Sequence, residues 1–256
     1  MSPADLEPLA LIAAEVAAEW GLELGPPFAL ARYSYVAPVG EDAVLKVTPA
    51  EDDEADEEPD ALALWDGDGA VRLLRRDRER RAVLIERARP GNDISEIPED
   101  EATAIAVAVG TRLWRPAAEP FRWIGDHVPH WLDRAERSDR EGRDLIPLAR
   151  ELYGSLAVGR ETLVHGDFHH HNILRAGDAY LAIDAKAMLG EPEFDVASFL
   201  WNPIGSTMRL DVTERRLAAF AAAGLDQQRM RAWAVIRGAY LQADENEERV
   251  LRSLAP

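Results

Sequence analysis

The sequence predicts an α+β protein of two lobes, a small mixed α/β lobe over residues 1–88 and a larger, mainly helical lobe over 89–256. Three observations lead there. Helix-like and strand-like patterns alternate up to Ala88, long helical patterns take over from Pro98, and only two short strand runs, TLVHGD and LAID, interrupt the second half. With 256 residues, 47% of them hydrophobic, the chain can build a sizeable core for one large domain or two tightly packed lobes.

In chain order, Leu6, Leu9, Ile12, Ala13, Val16 and Trp20 recur at helical spacing, and Gly21 stands where a helix C-cap would lie. Two β-prone runs, Phe28 to Val36 and Ala43 to Val47, flank a turn of Pro38 to Asp42, so a hairpin is expected to end in the strand AVLKV with Lys46 inside it. The acidic run EDDEADEEPD leads into Ala61, Leu62, Leu64 and Trp65. It reads as a helix with carboxylates in its first turn, where they favour the positive end of the dipole. Pro59 suits only that first turn, which places the helix start near Glu58. WDGDGAVRLL gives a turn and a strand, RRDRERR a charged connection, and AVLIERA another strand. RPGNDI reads as a linker. Helices are expected over 99–114 and 143–158, the latter with Leu145, Leu148, Leu152 and Leu156 on one face, and again after Glu193, with Gly224 punctuating two of them.

Composition narrows the function classes. The chain has no cysteine, which excludes disulfides, thiolate zinc sites and cysteine nucleophiles and suits a reducing cytoplasm. The first twenty residues lack the basic stretch of a secretory signal, and no run approaches the ~20 apolar residues of a membrane span. A net charge of −18 repels nucleic-acid phosphates and attracts cations, so a polycationic partner is expected ahead of nucleic acid, the equal alternative being that the acidity serves solubility alone; no membrane partner is expected.

The stretch from Leu163 to Ala197, LVHGDFHHHNILRAGDAYLAIDAKAMLGEPEFDVA, carries the chemistry. A short strand delivers His165, Gly166 and Asp167 to a loop, Asn172 follows the aspartate by five positions, and a hairpin turning at Ala176, Gly177 and Asp178 presents Asp184 at a strand end. Phosphoryl transfer needs a carboxylate to orient a hydroxyl, oxygen ligands for magnesium and a cation on the phosphates. An aspartate, an asparagine after four intervening residues and a second aspartate on a following strand match that order.

These residues resemble the aminoglycoside phosphotransferase superfamily, and within it the streptomycin 6-phosphotransferase and hydroxyurea phosphotransferase group of antibiotic resistance kinases. HGDFHHHNIL fits its His-Gly-Asp plus Asn loop, and IDAKAMLGEPEFDVA is similar to its metal-binding segment. WDGDGAVRLL and LIERARPGNDI extend the likeness over nearly the whole chain. The resemblance implies a protein-kinase-like fold, with nucleotide binding in 1–88 and the catalytic and acceptor-binding functions in 89–256. It implies ATP and Mg2+ as cofactors, Asp167 as the catalytic aspartate, and Asn172 and Asp184 as metal ligands. Lys46 would contact the α- and β-phosphates and pair with an acid on the next helix, for which Glu58 is chosen ahead of Glu57 and Asp60. Main chain around Glu86, Arg87 and Ala88 would receive adenine, Asp195 would anchor the catalytic loop, and His165 would order it. The turn that would cover the phosphates, YVAPVGEDAVLKV, holds only Gly40 where protein kinases have three glycines.

The acceptor is expected to be a hydroxyl-bearing aminoglycoside such as streptomycin. The alternatives are a metabolic sugar, amino-sugar or hydroxyurea kinase, and more distantly a catalytically inactive nucleotide-binding module. Candidate acceptor contacts are His170, Lys186, Glu191 and Glu193, and Asp244, Glu245, Glu247 and Glu248 could extend a cation-binding wall. Solvated helix faces are the ordinary explanation of such runs. His169, His170 and His171 invite a zinc reading, but adjacent imidazoles point apart and no spaced set such as HExxH accompanies them. Trp201, Trp233 and Tyr240 are read as core.

Overall fold

The computed structural model describes residues 6–29, 31, 33–138, 143–203, 208–241 and 243–255. The chain divides into two compact units, one comprising residues up to Asn92 with Leu174–Lys186, the other Asp93–Ile173 with the remainder from Ala187. The stretch 174–186 thus leaves the 89–256 lobe expected from the sequence and joins the first unit. Its residues pair there: the strands β8 (Ile173–Ala176) and β9 (Ala179–Ala182) lie beside β5 (Pro90–Asp93) in a three-stranded sheet, and the Ala182 N–H donates to the Gly69 carbonyl at 2.8 Å. The RPGNDI segment read as a linker supplies β5.

The first unit is built on a four-stranded antiparallel sheet in the order β1-β2-β4-β3, formed by Tyr35–Val39, Ala43–Val47, Ala82–Glu86 and Leu73–Asp77. Strand β1 begins later than the Phe28–Val36 run suggested and includes Pro38, which an edge strand tolerates. Helix α1 (Glu7–Trp20) ends at Gly21 in the left-handed conformation. It buries Leu9, Ala13, Val16 and Ala17 with Leu45 and Val47 of β2 and Ala82 of β4. This fixes the pleat of β2: Leu45 and Val47 face the helix, so Lys46 points to the opposite face. Helix α2 (Glu58–Trp65) carries Pro59 in its first turn and buries Ala61, Leu62 and Trp65.

The second unit is helical: α3 (Glu99–Leu113), α4 (Ile124–Arg137), α5 (Ile146–Ser155), α6 (Pro192–Leu200), α7 (Leu210–Ala222), α8 (Gln227–Leu241) and α9 (Glu245–Leu254). Helix α8 is central, packing on α4, α5, α6, α7 and α9. Its middle is apolar, burying Met230, Trp233, Val235 and Ile236, between polar residues that include three arginines. Trp233 is core as read, whereas Trp201 and Tyr240 are half-buried. Helix α4, with Pro129 inside it, was not read from the sequence, and the helix expected over 143–158 is a 3-10 turn followed by the shorter α5. A small sheet in the order β10-β7-β6 (Met188–Gly190, Thr162–Val164, Arg115–Pro116) delivers the chain to His165. Among the described residues no helix is long and apolar enough to cross a membrane.

Candidate active site

In the first unit Lys46 is 6% exposed, and its ammonium donates to Glu58 Oε2 at 2.6 Å and to Asp184 Oδ1 at 2.5 Å. Burial alone would lower the lysine pKa, but the carboxylates of Asp184 and Glu58 outweigh it and hold the ammonium above its ordinary range, so Lys46 is a permanent cation. Of the acids at the start of α2, Glu58 is the one that reaches it. Asp60 is taken by Arg76 at 2.5 Å and Arg78 at 2.8 Å. Asp184 has φ +58, a left-handed conformation that costs energy for any residue with a Cβ and that tends to persist at functional positions. Lys186, two residues on, bonds Asp52 at 2.9 Å. At the far end of β4 the Glu86 N–H donates to the Arg72 carbonyl and the Arg87 N–H to that of Asp42, each at 2.8 Å. Both donors are therefore already used.

In the second unit the loop after β7 is tied down from inside. Asp195, fully buried in the first turn of α6, accepts the backbone N–H groups of His165 and Gly166, each at 2.8 Å, and the Trp114 indole N–H at 2.9 Å. Burial pushes its carboxyl pKa up against those donors and the nearby His165. Three fixed donors on one carboxylate leave the backbone at 165–166 a single position. The Asp167 N–H then points at His165 Nδ1, 3.3 Å away, and Asn172 Nδ2 folds back onto the Asp167 carbonyl at 2.9 Å. The Asp167 carboxylate receives His169 Nε2 on Oδ2 at 3.3 Å and Arg237 Nη2 on Oδ1 at 3.3 Å. Burial would raise its pKa, but His169, Arg237 and His165 together hold it below the usual value, so Asp167 is ionised at neutral pH. Neither Trp114 nor Arg237 was singled out in the sequence; both are brought in by helices far along the chain.

The remaining candidates are engaged elsewhere. Glu191 is buried against Arg229 at 2.5 Å and also accepts the Trp233 indole N–H, and Glu193 accepts the Asp226 N–H at 3.0 Å. Asp244 and Glu247 form the capping box of α9, and Glu248 pairs with Arg252 at 2.7 Å. Glu191, Glu193, Asp244, Glu247 and Glu248 do not form the expected cation-binding wall as such, because their carboxylates are engaged by arginines, an indole, a main-chain N–H and a helix end, whereas Glu245 lies exposed in the first turn of α9. The three imidazoles serve three neighbours: His169 faces Asp167, His171 bonds Asp93 at 2.8 Å, and His170 stacks on Phe199 with ring centroids 4.1 Å apart.

His170 is 1% exposed and lies beside Arg216. Burial, with that guanidinium, lowers its pKa to about 3. The unfolded chain takes up a proton near the ordinary 6.5 while the folded ring refuses it until about 3, so this contribution is complete above 6.5 and is lost as pH falls. Metal-free protein should lose about 2 kcal/mol more of unfolding free energy between pH 7 and pH 5 than His170→Phe does. Urea titrations at both pH values check this, and equal losses would contradict it.

A fold with a strand lysine paired to a helix glutamate, followed by an Asp-x4-Asn loop and a further aspartate after a hairpin, is that of kinase-like phosphotransferases that use an alcohol group as acceptor. The chain belongs to the aminoglycoside/hydroxyurea antibiotic resistance kinase family, whose model matches residues 27–248. It is 34% identical to a hydroxyurea phosphotransferase of Kitasatospora aureofaciens over 88% of this chain and 69% of that protein. It is 33% identical to a streptomycin 3''-kinase of Klebsiella pneumoniae over 79% and 80%. In fold it is similar to the choline kinase LicA of Streptococcus pneumoniae, with TM-score 0.66, 13% identity and coverage of 96% of this chain and 98% of that one.

Proposed function

We propose that this kinase moves the γ-phosphoryl group of Mg-ATP to a hydroxyl of a small cationic molecule, an aminoglycoside of the streptomycin type, in the cytoplasm where ATP is available. The observation that carries the chemistry is the ionised Asp167 carboxylate on a loop pinned by Asp195. The acceptor class rests on likeness to streptomycin kinases and on a net charge of −18. In this reading the acceptor hydroxyl donates its hydrogen bond to Asp167, its oxygen forms the new bond to the γ-phosphorus, the bond to the β–γ bridging oxygen breaks, and ADP leaves. Asp167 orients the nucleophile and receives its proton late, since a loose transition state demands little basicity. Lys46, held by Glu58, neutralises phosphate charge. The main chain around Glu86, Arg87 and Ala88 would receive the adenine, with the Glu86 and Arg87 N–H groups already engaged.

Asn172 and Asp184 present hard oxygen donors, the ligand type that magnesium takes, and bound metal would supply further neutralisation of the phosphates. Acceptor attraction acts through the long-range negative field of the chain and not through a carboxylate wall at Glu191 and Glu193. A second reading, hydroxyurea as acceptor, is favoured by the comparable identity to the hydroxyurea phosphotransferase. The deciding experiment is ADP release from Mg-ATP with streptomycin, other aminoglycosides, amino sugars or hydroxyurea. Strong stimulation by streptomycin is expected. Stimulation by hydroxyurea alone would transfer the assignment to the second reading, and stimulation by none would remove the resistance function.

A further inference from the structure

We infer that Arg237 is a positioning residue for the transfer, holding the Asp167 carboxylate in the orientation in which one oxygen meets the acceptor hydroxyl; this rests on the catalytic role proposed for Asp167. Arg237 stands on the central helix α8, seventy residues from the loop, yet its Nη2 reaches Asp167 Oδ1 at 3.3 Å. Its Nη1 donates to the Tyr240 hydroxyl at 3.1 Å, and its guanidinium carbon lies 5.5 Å over the Phe194 ring and 5.9 Å over that of Tyr240. The side chain is 11% exposed and its Nε makes no hydrogen bond. Phe194 and Tyr240 are locked in turn by Trp131, with ring centroids at 6.4 and 5.0 Å. With Nη1 on the Tyr240 hydroxyl and the guanidinium lying over two rings, Nη2 is the donor that reaches Asp167.

Among the described residues the other carboxylate oxygen is approached from within the loop, by His169 Nε2 at 3.3 Å and Asn172 Nδ2 at 3.4 Å. Without Arg237 the terminal torsion of Asp167, which is broad in aspartate, would be set by its own loop alone. Ionic hydrogen bonds are usually about 2.7–2.9 Å long, so a 3.3 Å contact orients the oxygen while leaving room on it for an incoming hydroxyl. A merely packed arginine would account for the ring contacts but not for the donor aimed at Oδ1.

The test is ADP release from Mg-ATP to water alone and to streptomycin, in wild type, Arg237→Met, Arg237→Lys and Asp167→Asn. Arg237→Met should lower kcat about 100-fold, the cost of a small misplacement of a reacting group, with KM for ATP within about 3-fold. Arg237→Lys should recover only part of the rate, because an ammonium keeps the charge but not the fork. Methylguanidine at millimolar concentration should restore part of the rate to Arg237→Ala. An unchanged kcat in folded Arg237→Met, or equal rates in the Met and Lys variants, would overturn the inference. If Asp167→Asn stays fully active, the role of Asp167 fails first and the inference with it. If streptomycin does not stimulate but release to water still needs Asp167 and Arg237, only the acceptor assignment falls.

Discussion

Asp167→Asn should lower turnover by about 1,000-fold while leaving the affinity for ATP within about 3-fold, the middle of the range for losing a positioned proton acceptor. Asparagine is the informative replacement because it keeps the shape and an oxygen that can still accept from Arg237 Nη2, so the loop is not left with an unpaired buried guanidinium. Alanine would confound the two losses. Nucleotide binding should survive because the proposed phosphate contact is Lys46, whose neighbours Glu58 and Asp184 the substitution does not touch. Single-turnover ADP formation and equilibrium titration with a fluorescent ATP analogue measure the two quantities separately. If the folded variant loses nucleotide binding in step with turnover, Asp167 acts on the nucleotide and its assignment to the acceptor is wrong.

What could be read in the sequence divides along sequence separation. Asp167 and Asn172 were legible because their spacing of five encodes a loop closing on itself, and the Asn172 Nδ2 bond to the Asp167 carbonyl is that closure. Lys46 with Glu58 was legible through a strand followed by a helix, since the two lie twelve residues apart. Arg237 was not, because nothing in QQRMRAWAVIRGAYL distinguishes one of its arginines from another. Charge misled at Glu191 and Glu193: an acidic residue near a motif looks available, but availability depends on the partners the fold supplies, here Arg229, Trp233 and the Asp226 N–H.

The fold shows the same limit. Helix α1 and the β1–β2 hairpin have repeats long enough to read, whereas β6 and β10 are two and three residues long and have no periodicity. Helix α4 was hidden by Pro129, which lies within it, although it carries one of the strongest amphipathic patterns in the chain. The 174–186 hairpin was assigned to the helical lobe because it follows the Asp167–Asn172 loop in sequence. Its main-chain bonds to Gly69 and Arg89 place it with the first unit, which is where Asp184 meets Lys46.

Lys46→Met should cost about 3–5 kcal/mol of stability and remove most ATP-dependent turnover, and the two losses can be separated. Glu58 is 2% exposed, so taking away its ammonium leaves a carboxylate that must stay charged without solvent or take up a proton; burial already pushes its pKa up. Asp184 is 45% exposed at its side chain and can be hydrated, so it should contribute little to that cost. Replacing the second buried partner as well, in Lys46→Met with Glu58→Met, removes the orphaned charge and should recover most of the lost stability, because a well-packed apolar pair can substitute for a buried ion pair. Turnover should not recover, since the ammonium proposed to face the phosphates is gone in both variants. Denaturant melts and ADP-release kinetics on the wild type, the single and the double variant distinguish the cases. A double variant as unstable as the single one would mean that the methionine at 46 fails to pack, and activity returning with stability would mean that Lys46 serves the fold and not the nucleotide.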